Sequence, residues 1–447
     1  MGVYSAAVAA LAPLLIGLVA GEDLRNVRIN FGSCNDGNKT QMLWPFIQAR
    51  EPDLWIWGGD NIYGDDRPRS FKQVKEWAQG RENPVKDWLD KKFFEQATPE
   101  KLKWLYDKQL KHPGYSAFVE SIGQENIIGT WDDHDMGLND AGNDYEFRAE
   151  SQQAFLDFLH VGPDDERRTR EGVYSFRDIN NGLVRIITLD TRYFRDSYEK
   201  RDGDVLGAAQ WAWLEETLET SPAQFNLLVS GVQVLPDQPI RTFAENWFKL
   251  PVAYNRLMKL VTETRAKGIV FLSGDVHYAE MFQTNCTCAN DKSFVLAEHT
   301  SSGMTHSWAR YGHPATWLVQ SAYLTQPFYT TIPGSLYLDI NFGELDFAGL
   351  GSDAASLTAR ILDEHGEQVY EHVWHISDLK GEYRGEACEC IPIQGRNVGD
   401  FEESARHTLF AFVFLSPLIA IVLPIISLVC FFCGCCTTKS NLKQKSD

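Results

Sequence analysis

Residues 27–65 read VRINFGSCNDGNKTQMLWPFIQAREPDLWIWGGDNIYGD, and this stretch contains the pattern that decides the fold. Two β-rich runs, Val27–Phe31 and Leu54–Trp57, each end in small residues. Between them, Gln41–Arg50 has the composition of a helix, so the stretch predicts a strand–helix–strand unit. The two strands of such a unit lie parallel, and their carboxyl ends meet at one edge of the sheet. Ligands bind at that edge in open α/β sheets.

The same pattern recurs along the chain, where polar and titratable side chains follow each predicted strand. Further strands are predicted over Asn126–Thr130, Leu183–Leu189, Phe225–Val229 and Ile269–Leu272. Because parallel strands end at one edge of a sheet, we expect the side chains that follow them to converge there. These side chains are Cys34, Asp60, Asn61, Tyr63, Asp132, Asp133, His134, Asp135, Asp190, Arg192, Ser230, Gln233, Asp275 and His277.

The residue types in these clusters indicate a metal site. Three acids lie around His134, and they repel one another strongly unless a cation neutralises them. A single aspartate at a strand end often only caps a helix, and a lone histidine is usually structural. Carboxylate, imidazole, phenol and thiol groups on one edge, however, suit two or more ions of differing hardness. Two close cations clamp a phosphoryl oxygen and generate hydroxide near neutral pH.

The order of the predicted elements indicates one catalytic domain over residues 22–385. Helices and strands alternate in the first half of the chain, and strands dominate its last third, including a predicted strand over Ser335–Phe342. This order favours two sheets packed face to face with helices outside. Ser70–His112 is predicted as a helical insertion, with Thr98 as a helix cap and Pro99 at the first helical position.

The two ends of the chain predict a type I, single-pass membrane protein. Residues 1–21 have the apolar run of a signal peptide. Thr408–Cys436 contains no charged residue and is long enough to span a bilayer as a helix. Lysines follow this run, so the positive-inside rule makes the tail, residues 437–447, cytosolic. The domain, with a stalk over residues 386–407, is then extracellular or lumenal; a GPI signal is the alternative, but the basic tail argues against it.

Cysteines and sequons agree with that location. Asn38 and Asn285 each begin an N-glycosylation sequon. Two Cys-x-Cys pairs are expected to cross-link to each other in an oxidising compartment. Cys34 is left over, and it is either a small buried residue or a metal thiolate. The two pairs consist of Cys286, Cys288, Cys388 and Cys390.

The charge of the chain excludes one class of function. Lys and Arg number 42 against 61 Asp and Glu, which gives a formal net charge of −19. A chain with this balance offers no phosphate-neutralising surface, so we expect no nucleic-acid-binding surface. The charge suits an acidic enzyme or a protein that collects divalent cations.

Five segments resemble the PhoD-like alkaline phosphatases, a branch of the calcineurin-like metallophosphoesterases. They occur in the order of that family between residues 27 and 380, and they read FGSC, GGDNIYGD, WDDHDMGLNDAG, ITLDTRYFRD and LSGDVHYAEM. The resemblance implies an α/β fold, a four-layer αββα sandwich, to which the predicted C-terminal transmembrane helix is added. It also implies hydrolysis of phosphate esters at a metal cluster.

The resemblance implies roles for individual residues. Cys34 stands in place of a metal ligand of the superfamily, Asp60 is the bridging ligand and Tyr63 is a phenolate ligand. His134 is the acid or base near the leaving group, and Asp135 is a second catalytic candidate. The implied metal ligands are Cys34, Asp60, Tyr63, Asp133, Asp275 and His277, and the candidate substrate contacts are Asn61, Asn139, Arg192 and Gln233.

Several of these roles have structural alternatives. Arg192 either holds a phosphate oxygen with its planar fork or forms a salt bridge at the strand end. Gln233 either hydrogen-bonds substrate or water, or has only a structural role. His299 and His306 are candidates for the pocket rim, with a structural role as the alternative for each.

The predicted function is that of a membrane-anchored phosphoric ester hydrolase which uses a metal-activated hydroxide. A thiolate and a phenolate favour Fe³⁺ and the extra carboxylates favour Ca²⁺, which is the metal content that the resemblance implies; Zn²⁺ or Mn²⁺ are the alternatives. The substrate is a phosphate ester, and His134 protonates the leaving group. The alternatives are a phosphodiesterase acting on lipid headgroups or nucleotides, and a non-catalytic cell-surface binding protein on the same fold.

Overall fold

The computed structural model describes residues 26–66, 76, 78–79, 94–200, 202–236, 245–289, 292–310, 330–381 and 388–392. The predicted signal peptide, transmembrane helix and cytosolic tail lie outside these residues, as does most of the predicted stalk. Among the residues described, no helix combines the length and the apolar character needed to cross a bilayer.

A six-stranded sheet carries the first strand–helix–strand unit. Its strand order is β12-β11-β10-β1-β2-β3. The first three strands of the chain lie parallel in it, with Ile29 opposite Leu54 and Trp55 opposite Ile127, so the predicted unit is confirmed. The strands are β1 (Val27–Gly32), β2 (Leu54–Gly58), β3 (Ile127–Thr130), β10 (Phe342–Ala348), β11 (Ser356–Leu362) and β12 (Gln368–His375).

A seven-stranded sheet contains the other strands, in the order β13-β8-β9-β7-β6-β5-β4. Its central strands β5, β6, β7 and β9 are parallel, whereas β4, β8 and β13 are antiparallel to their neighbours. The strands are β4 (Ser175–Ile179), β5 (Val184–Thr188), β6 (Phe225–Ser230), β7 (Ile269–Ser273), β8 (Ala279–Cys288), β9 (Ser293–Ser301) and β13 (Cys388–Pro392).

Helices cover both outer faces of the paired sheets. The predicted cap Thr98 is confirmed, because its side chain accepts a hydrogen bond from the amide of Lys101 at 3.3 Å. The other helical stretches of the predicted insertion lie almost wholly outside the described residues. The helices are α1 (Trp44–Ala49), α2 (Pro99–Leu110), α3 (Pro113–Ile122), α4 (Asp133–Met136), α5 (Arg148–Phe158), α6 (Gly207–Glu219) and α7 (Pro251–Glu263).

Continuous apolar strands explain how the layers pack. In β2, Leu54 and Ile56 join a core that lies between the two sheets, while Trp55 and Trp57 join a core beneath the helices α1, α2, α3 and α5. Strand β7 alternates in the same way between the inter-sheet core and a third core beneath α6 and α7. A strand buried on both faces has no polar side, which is why LWIW and IVFL contain no polar residue. The predicted mixed α/β fold with two sheets is confirmed.

Two disulfides fasten the last described strand to the second sheet. They join Cys286 to Cys390 and Cys288 to Cys388. The two Cys-x-Cys pairs therefore cross-link to each other as expected, in the antiparallel register in which Cys388 lies opposite Cys288. This strand lies in the predicted stalk, so the folded domain extends at least to Pro392 and not only to residue 385.

One predicted strand is wrong. Ser335–Phe342 contains bends and an isolated bridge, and the strand β10 begins only at Phe342. Side chains replace the backbone ladder here, since the Ser335 hydroxyl accepts a hydrogen bond from the Met281 amide at 3.0 Å. The apolar residues of this segment fit a pleated surface, but tertiary contacts decide its conformation.

Candidate metal centre

The candidate centre lies where the carboxyl ends of both sheets meet. Cys34 and Asp60 follow β1 and β2 of the first sheet, and Asp275 and His277 follow β7 of the second. All four have positive φ angles, which are 62°, 52°, 72° and 60° respectively. Residues other than glycine adopt this conformation at a cost of about 1 to 3 kcal/mol each, and such residues cluster at functional sites.

A first group of four predicted ligands surrounds one point. Donor atoms of Cys34, Asp60 and His277 lie within 4.8 Å of one another. The Tyr63 hydroxyl is 3.0 Å from Asp60 Oδ2 and 3.2 Å from His277 Nε2, so the phenol belongs to the same group. Cys34 Sγ is 3.5 Å from Asp60 Oδ2 and 3.0 Å from the hydroxyl of Ser302. Sequence reasoning did not identify Ser302.

A second group shares Asp60 with the first. Donor atoms of Asp60, Asp133 and His134 lie within 4.8 Å of one another. Because Asp60 belongs to both groups, its carboxylate is in the place that a bridging ligand between two ions would occupy. Five of the six predicted ligands, namely Cys34, Asp60, Tyr63, Asp133 and His277, therefore lie in these two groups, and their binding of metal stays a prediction.

Two further groups contain only carboxylates. The first consists of Asp132, Asp133 and Asp275, and the second consists of Asp133, Asp140 and Glu245. Oxygen donors of this kind suit hard cations such as Ca²⁺. Asp140 and Glu245 were not identified from the sequence, because each lies on a loop whose approach to the site depends on tertiary structure.

The electrostatics of the centre fit bound cations. Among the described residues, Asp60 Oδ1 and Asp132 Oδ2 are buried oxygens without a hydrogen-bond partner. Burial, followed by repulsion from Cys34 and Asp133, raises the pKa of Asp60 well above its ordinary value. Burial likewise raises the pKa of Asp132 to about 7, against the opposing effect of Arg192. Buried carboxylates that lack partners are costly to ionise, and a cation removes that cost.

His134 is oriented by a carboxylate that the sequence analysis did not identify. Its Nδ1 lies 2.7 Å from Oδ1 of Asp65. The His134 ring also packs against that of Tyr63, with ring centroids 4.2 Å apart and an angle of 32° between the ring planes. Asp65 ends the quoted stretch of residues 27–65, and the sequence signal that could have found it is the second Gly-Asp pair, five residues after Asp60.

The Asp135 carboxylate lies where it can hold two loops of the centre in place. This fully buried carboxylate accepts hydrogen bonds from the amides of Asn61 and Asp132 and from the hydroxyl of Tyr106, at 2.9 to 3.1 Å. These contacts join the loop after β2 to the start of α4, and burial raises the pKa of Asp135 to about 6. The carboxylate thus holds the two loops that carry the candidate ligands, and its predicted catalytic role remains a prediction.

Arg192 forms the salt bridge that was the alternative to a phosphate contact. Its guanidinium is fully buried, donates to Asp132 and lies 2.5 Å from Glu245. The pairing removes part of the charge from the carboxylate groups beside the centre. Arg192 therefore contacts the acids of the centre from within the protein.

The other three candidate substrate contacts have internal partners. The Asn61 side chain donates to the carbonyl of Thr130 at 3.1 Å. The Asn139 side chain donates to Asp140 at 2.8 Å, which holds the loop that carries Asp140. Gln233 is buried in a polar network, where it donates to Thr300 Oγ1 at 3.1 Å. These contacts favour the structural alternative for Gln233.

The two rim histidines differ in position. His306 lies at the centre, with its ring centroid 4.3 Å from that of His277 and 5.0 Å from that of Tyr63. His299 is fully buried in the sheet, packs edge-on against Phe31, and has a pKa that burial lowers to about 3. The structural alternative therefore holds for His299, since a fully buried ring cannot contact solvent or substrate.

Comparison with known proteins connects this geometry to a family. The family model described as PhoD-like phosphatase matches residues 31–339. A solved structure of PhoD has a TM-score of 0.53 at 14% sequence identity, covering 87% of this chain and 77% of that chain, which shows a shared fold. A 5'-nucleotidase precursor from Thermus thermophilus has a TM-score of only 0.25 at 9% identity, covering 89% of this chain and 60% of that chain. No curated protein matches the sequence.

Proposed function

The chain belongs to the PhoD-like phosphatase family and is a hydrolase of phosphoric ester bonds, and on that premise we propose that it acts as a membrane-anchored, metal-dependent enzyme. The observation that carries the metal dependence is the convergence of thiol, phenol, imidazole and carboxylate donors on Asp60. The unpartnered oxygens of Asp60 and Asp132 among the described residues support it.

The donor types suggest which ions the groups hold. Cys34, Tyr63 and His277 with Asp60 form a mixed set of soft and hard donors, and thiolate with phenolate favours Fe³⁺. The carboxylate groups around Asp133 favour Ca²⁺. Zn²⁺ or Mn²⁺ in these groups is the alternative. Cations held by these residues would lower the pKa of a bound water to about 7 and would neutralise phosphoryl oxygens.

The protein's own residues handle the leaving group. Asp65 accepts from His134 Nδ1, which fixes the ring. Nε2 then donates a proton to the departing oxygen, and the carboxylate of Asp65 stabilises the protonated ring before the transfer. Tyr63 packs against the same ring and limits its rotation.

Membrane anchoring and location are the finer parts of the proposal. The support is the charge-free run Thr408–Cys436, the basic tail after it, and the apolar leader at residues 1–21. Two disulfides agree with an oxidising compartment. Both sequon asparagines, Asn38 and Asn285, are exposed, as a glycan requires. We therefore propose an extracellular or lumenal catalytic domain.

The test uses the full chain, purified in detergent without chelator. We would record metal content, visible absorption, and turnover of p-nitrophenyl phosphate and bis-p-nitrophenyl phosphate. The expected result is bound iron and calcium, hydrolysis, and an absorption band that Tyr63→Phe and Cys34→Ser each reduce. A colourless, active zinc protein would refute the ligand assignment.

The same measurements decide between the alternatives. Preference for the bis-ester would make the protein a phosphodiesterase. Full turnover by protein that contains no metal would refute the proposed metal dependence.

A further inference from the structure

The segment that follows β9 contacts the loops that carry the first group of candidate ligands. It reads SGMTHSW over residues 302–308, and the proposed function uses none of its side chains. Its amides donate to the carbonyls of two ligands: that of Thr305 to Cys34 at 3.4 Å, and that of Trp308 to His277 at 3.2 Å. Because Cys34 follows β1 and His277 follows β7, the segment joins ligand loops that belong to different sheets.

Ser302 connects the thiol of one loop to the backbone of the other. Its side chain is fully buried, and its oxygen accepts a hydrogen bond from the His277 amide at 2.8 Å. The same oxygen lies 3.0 Å from Cys34 Sγ. A serine hydroxyl has a single hydrogen, and an amide nitrogen can only donate. The hydrogen of Ser302 is therefore directed to the sulfur, which is its acceptor among the described residues.

A neighbouring serine differs in where its hydrogen points. Ser33 Oγ lies 3.6 Å from the same sulfur, but it donates to the carbonyl of Ser301 at 3.0 Å. Its one hydrogen is thus used away from Cys34. Both hydroxyls are buried beside the thiol, and of the two that of Ser302 is placed to donate to it.

A hydrogen bond to a thiolate ligand changes the ion that the thiolate binds. The bond stabilises the lone pairs of the sulfur, so the thiolate gives less charge to the metal. An ion that receives less charge is a stronger Lewis acid, which is the property that the proposed chemistry needs. The same bond fixes the direction of the sulfur relative to the His277 loop.

We propose that Ser302 is a positioning residue of the candidate centre, which donates to the Cys34 thiolate and holds the His277 loop at the same time. It keeps the ion of the first group electron-poor, and it fixes the distance between ligands that come from different sheets. The inference rests on the proposed metal dependence, and it adds a residue that controls the properties of the bound ion.

The test adds Co²⁺ alone to the chelated full chain, because a bond between Co²⁺ and a thiolate absorbs in the near ultraviolet whichever ion the protein holds in the cell. The band is read as the difference from Cys34→Ser, since the sequence has further cysteines within residues 430–436. In Ser302→Ala the band should move to longer wavelength, and the dissociation constant of Co²⁺ should rise about tenfold. Ser302→Thr keeps the hydroxyl and should restore both values.

Two control variants separate donation to the sulfur from support of the loop. Ser33→Ala removes the buried hydroxyl that does not donate to the thiol, and its band should match that of wild type. Thr305→Val removes a hydroxyl that lies 3.2 Å from the Cys34 carbonyl. It should weaken Co²⁺ binding by about fivefold at most and leave the band in place, because its contact is to the backbone.

The inference is overturned if Ser302→Ala keeps the wild-type band, or if Ser33→Ala shifts the band equally. A wild-type protein that binds Co²⁺ without a Cys34-dependent band would overturn both this inference and the ligand assignment. A protein that shows the band and its dependence on Ser302 but hydrolyses neither p-nitrophenyl ester would refute the proposed function alone.

Discussion

Two clusters of acids in this protein differ in what balances their charge. Around Glu344, the chain supplies its own cations, since Arg50 lies 2.6 Å and Arg360 3.0 Å from the buried carboxylate. Around Asp60, the thiol and acids far outnumber the cations, and a buried oxygen has no partner among the described residues. The chain's own arginines balance the first cluster, whereas in the proposed function ions from solution would balance the second.

The pKa directions show the same difference. Burial raises the pKa of Asp346, beside Glu344, but hydrogen bonds from Arg28 and Arg360 outweigh it and hold the pKa below its ordinary value. At the centre, burial and the neighbouring acids raise the pKa of Asp60 and of Asp275 well above theirs. A cluster whose acids resist ionisation in the free protein is suited to bind cations, because the ions supply the missing stabilisation.

The largest expected effect is that of Asp60→Asn. Asparagine tolerates the positive φ of this position, so the loop should keep its shape. Loss of the shared carboxylate should remove metal and lower turnover at least a thousandfold, or about 4 kcal/mol of transition-state stabilisation. Metal analysis and kinetics with p-nitrophenyl phosphate measure the two effects.

The control for that variant is Asp353→Asn, at an exposed loop position. It should keep both metal and activity. Full activity of the Asp60→Asn protein would show that the centre described here is not the catalytic one.

Glu344→Gln tests the other cluster. Removing this carboxylate leaves Arg28, Arg50 and Arg360 close together, and among the described residues their remaining ion-pair partners are Asp346 and Glu371. We expect the free energy of unfolding to fall by about 3 kcal/mol, because one partner of a buried ion pair is lost. Urea unfolding of the metal-loaded protein measures it, and metal content should not change.

Glu371→Gln is the matched control for this cluster, because Glu371 pairs with the same Arg360 from an exposed position. Its effect should be less than about 1 kcal/mol. Equal losses for the two variants would mean that Glu344 is not the centre of the network.

The strand-end pattern predicted which ligands converge, because the ends of parallel strands meet wherever the sheet is formed. Cys34, Asp60 and His277 are each separated by many residues in sequence, yet the position of each at a strand end was enough. Glu245 could not be predicted in this way, and neither could Asp140. Each reaches the centre from a loop, and the conformation of a loop depends on contacts that no local pattern encodes.

The structural role of His299 and the wrongly predicted strand have a related cause. His299 lies in the polar segment EHTSSG, residues 298–303. Strand β9, however, lies between two other strands, and both faces of its carboxyl half are buried. Ser335–Phe342 has strand composition, but it meets the second sheet through an isolated bridge at Tyr337 instead of a ladder. Composition indicates which conformations a segment can adopt, and the neighbouring elements decide which of them it adopts.

Asp65→Asn should have an intermediate effect. It should keep the metal and lower turnover about 10- to 100-fold, because the His134 ring loses the carboxylate that orients it. The loss should be larger for esters with poor leaving groups, and the acidic limb of the pH–rate profile should shift. Asp66→Asn is the control, since Asp66 is exposed and pairs with Lys101 across the surface. Equal losses for both variants, or loss of metal, would assign Asp65 a purely structural role.

The substitution with the smallest expected effect, Asp275→Asn, tests the comparison most directly, because it should stabilise the protein whereas the other substitutions weaken it. In the chelated protein, Asp275→Asn should raise the free energy of unfolding by about 1 kcal/mol at pH 8. Burial, and then repulsion from Asp132, Glu245 and Asp133, raises the pKa of Asp275. A carboxyl whose pKa is raised in the folded protein lowers the free energy of unfolding as the pH rises above the pKa of the same group in the unfolded chain, which is about 4. The gain should therefore vanish near pH 4 and grow toward neutral pH.

Adding metal should reverse the order of stability. The wild-type protein gains the free energy of binding its ions, whereas the Asp275→Asn protein lacks one of the oxygens that hold them. Urea unfolding at pH 4 and pH 8, with and without chelator, measures all four states. If the chelated variant is less stable than wild type at pH 8, repulsion among the acids at this edge does not destabilise the fold. The contrast with the arginine-balanced cluster around Glu344 would then be wrong.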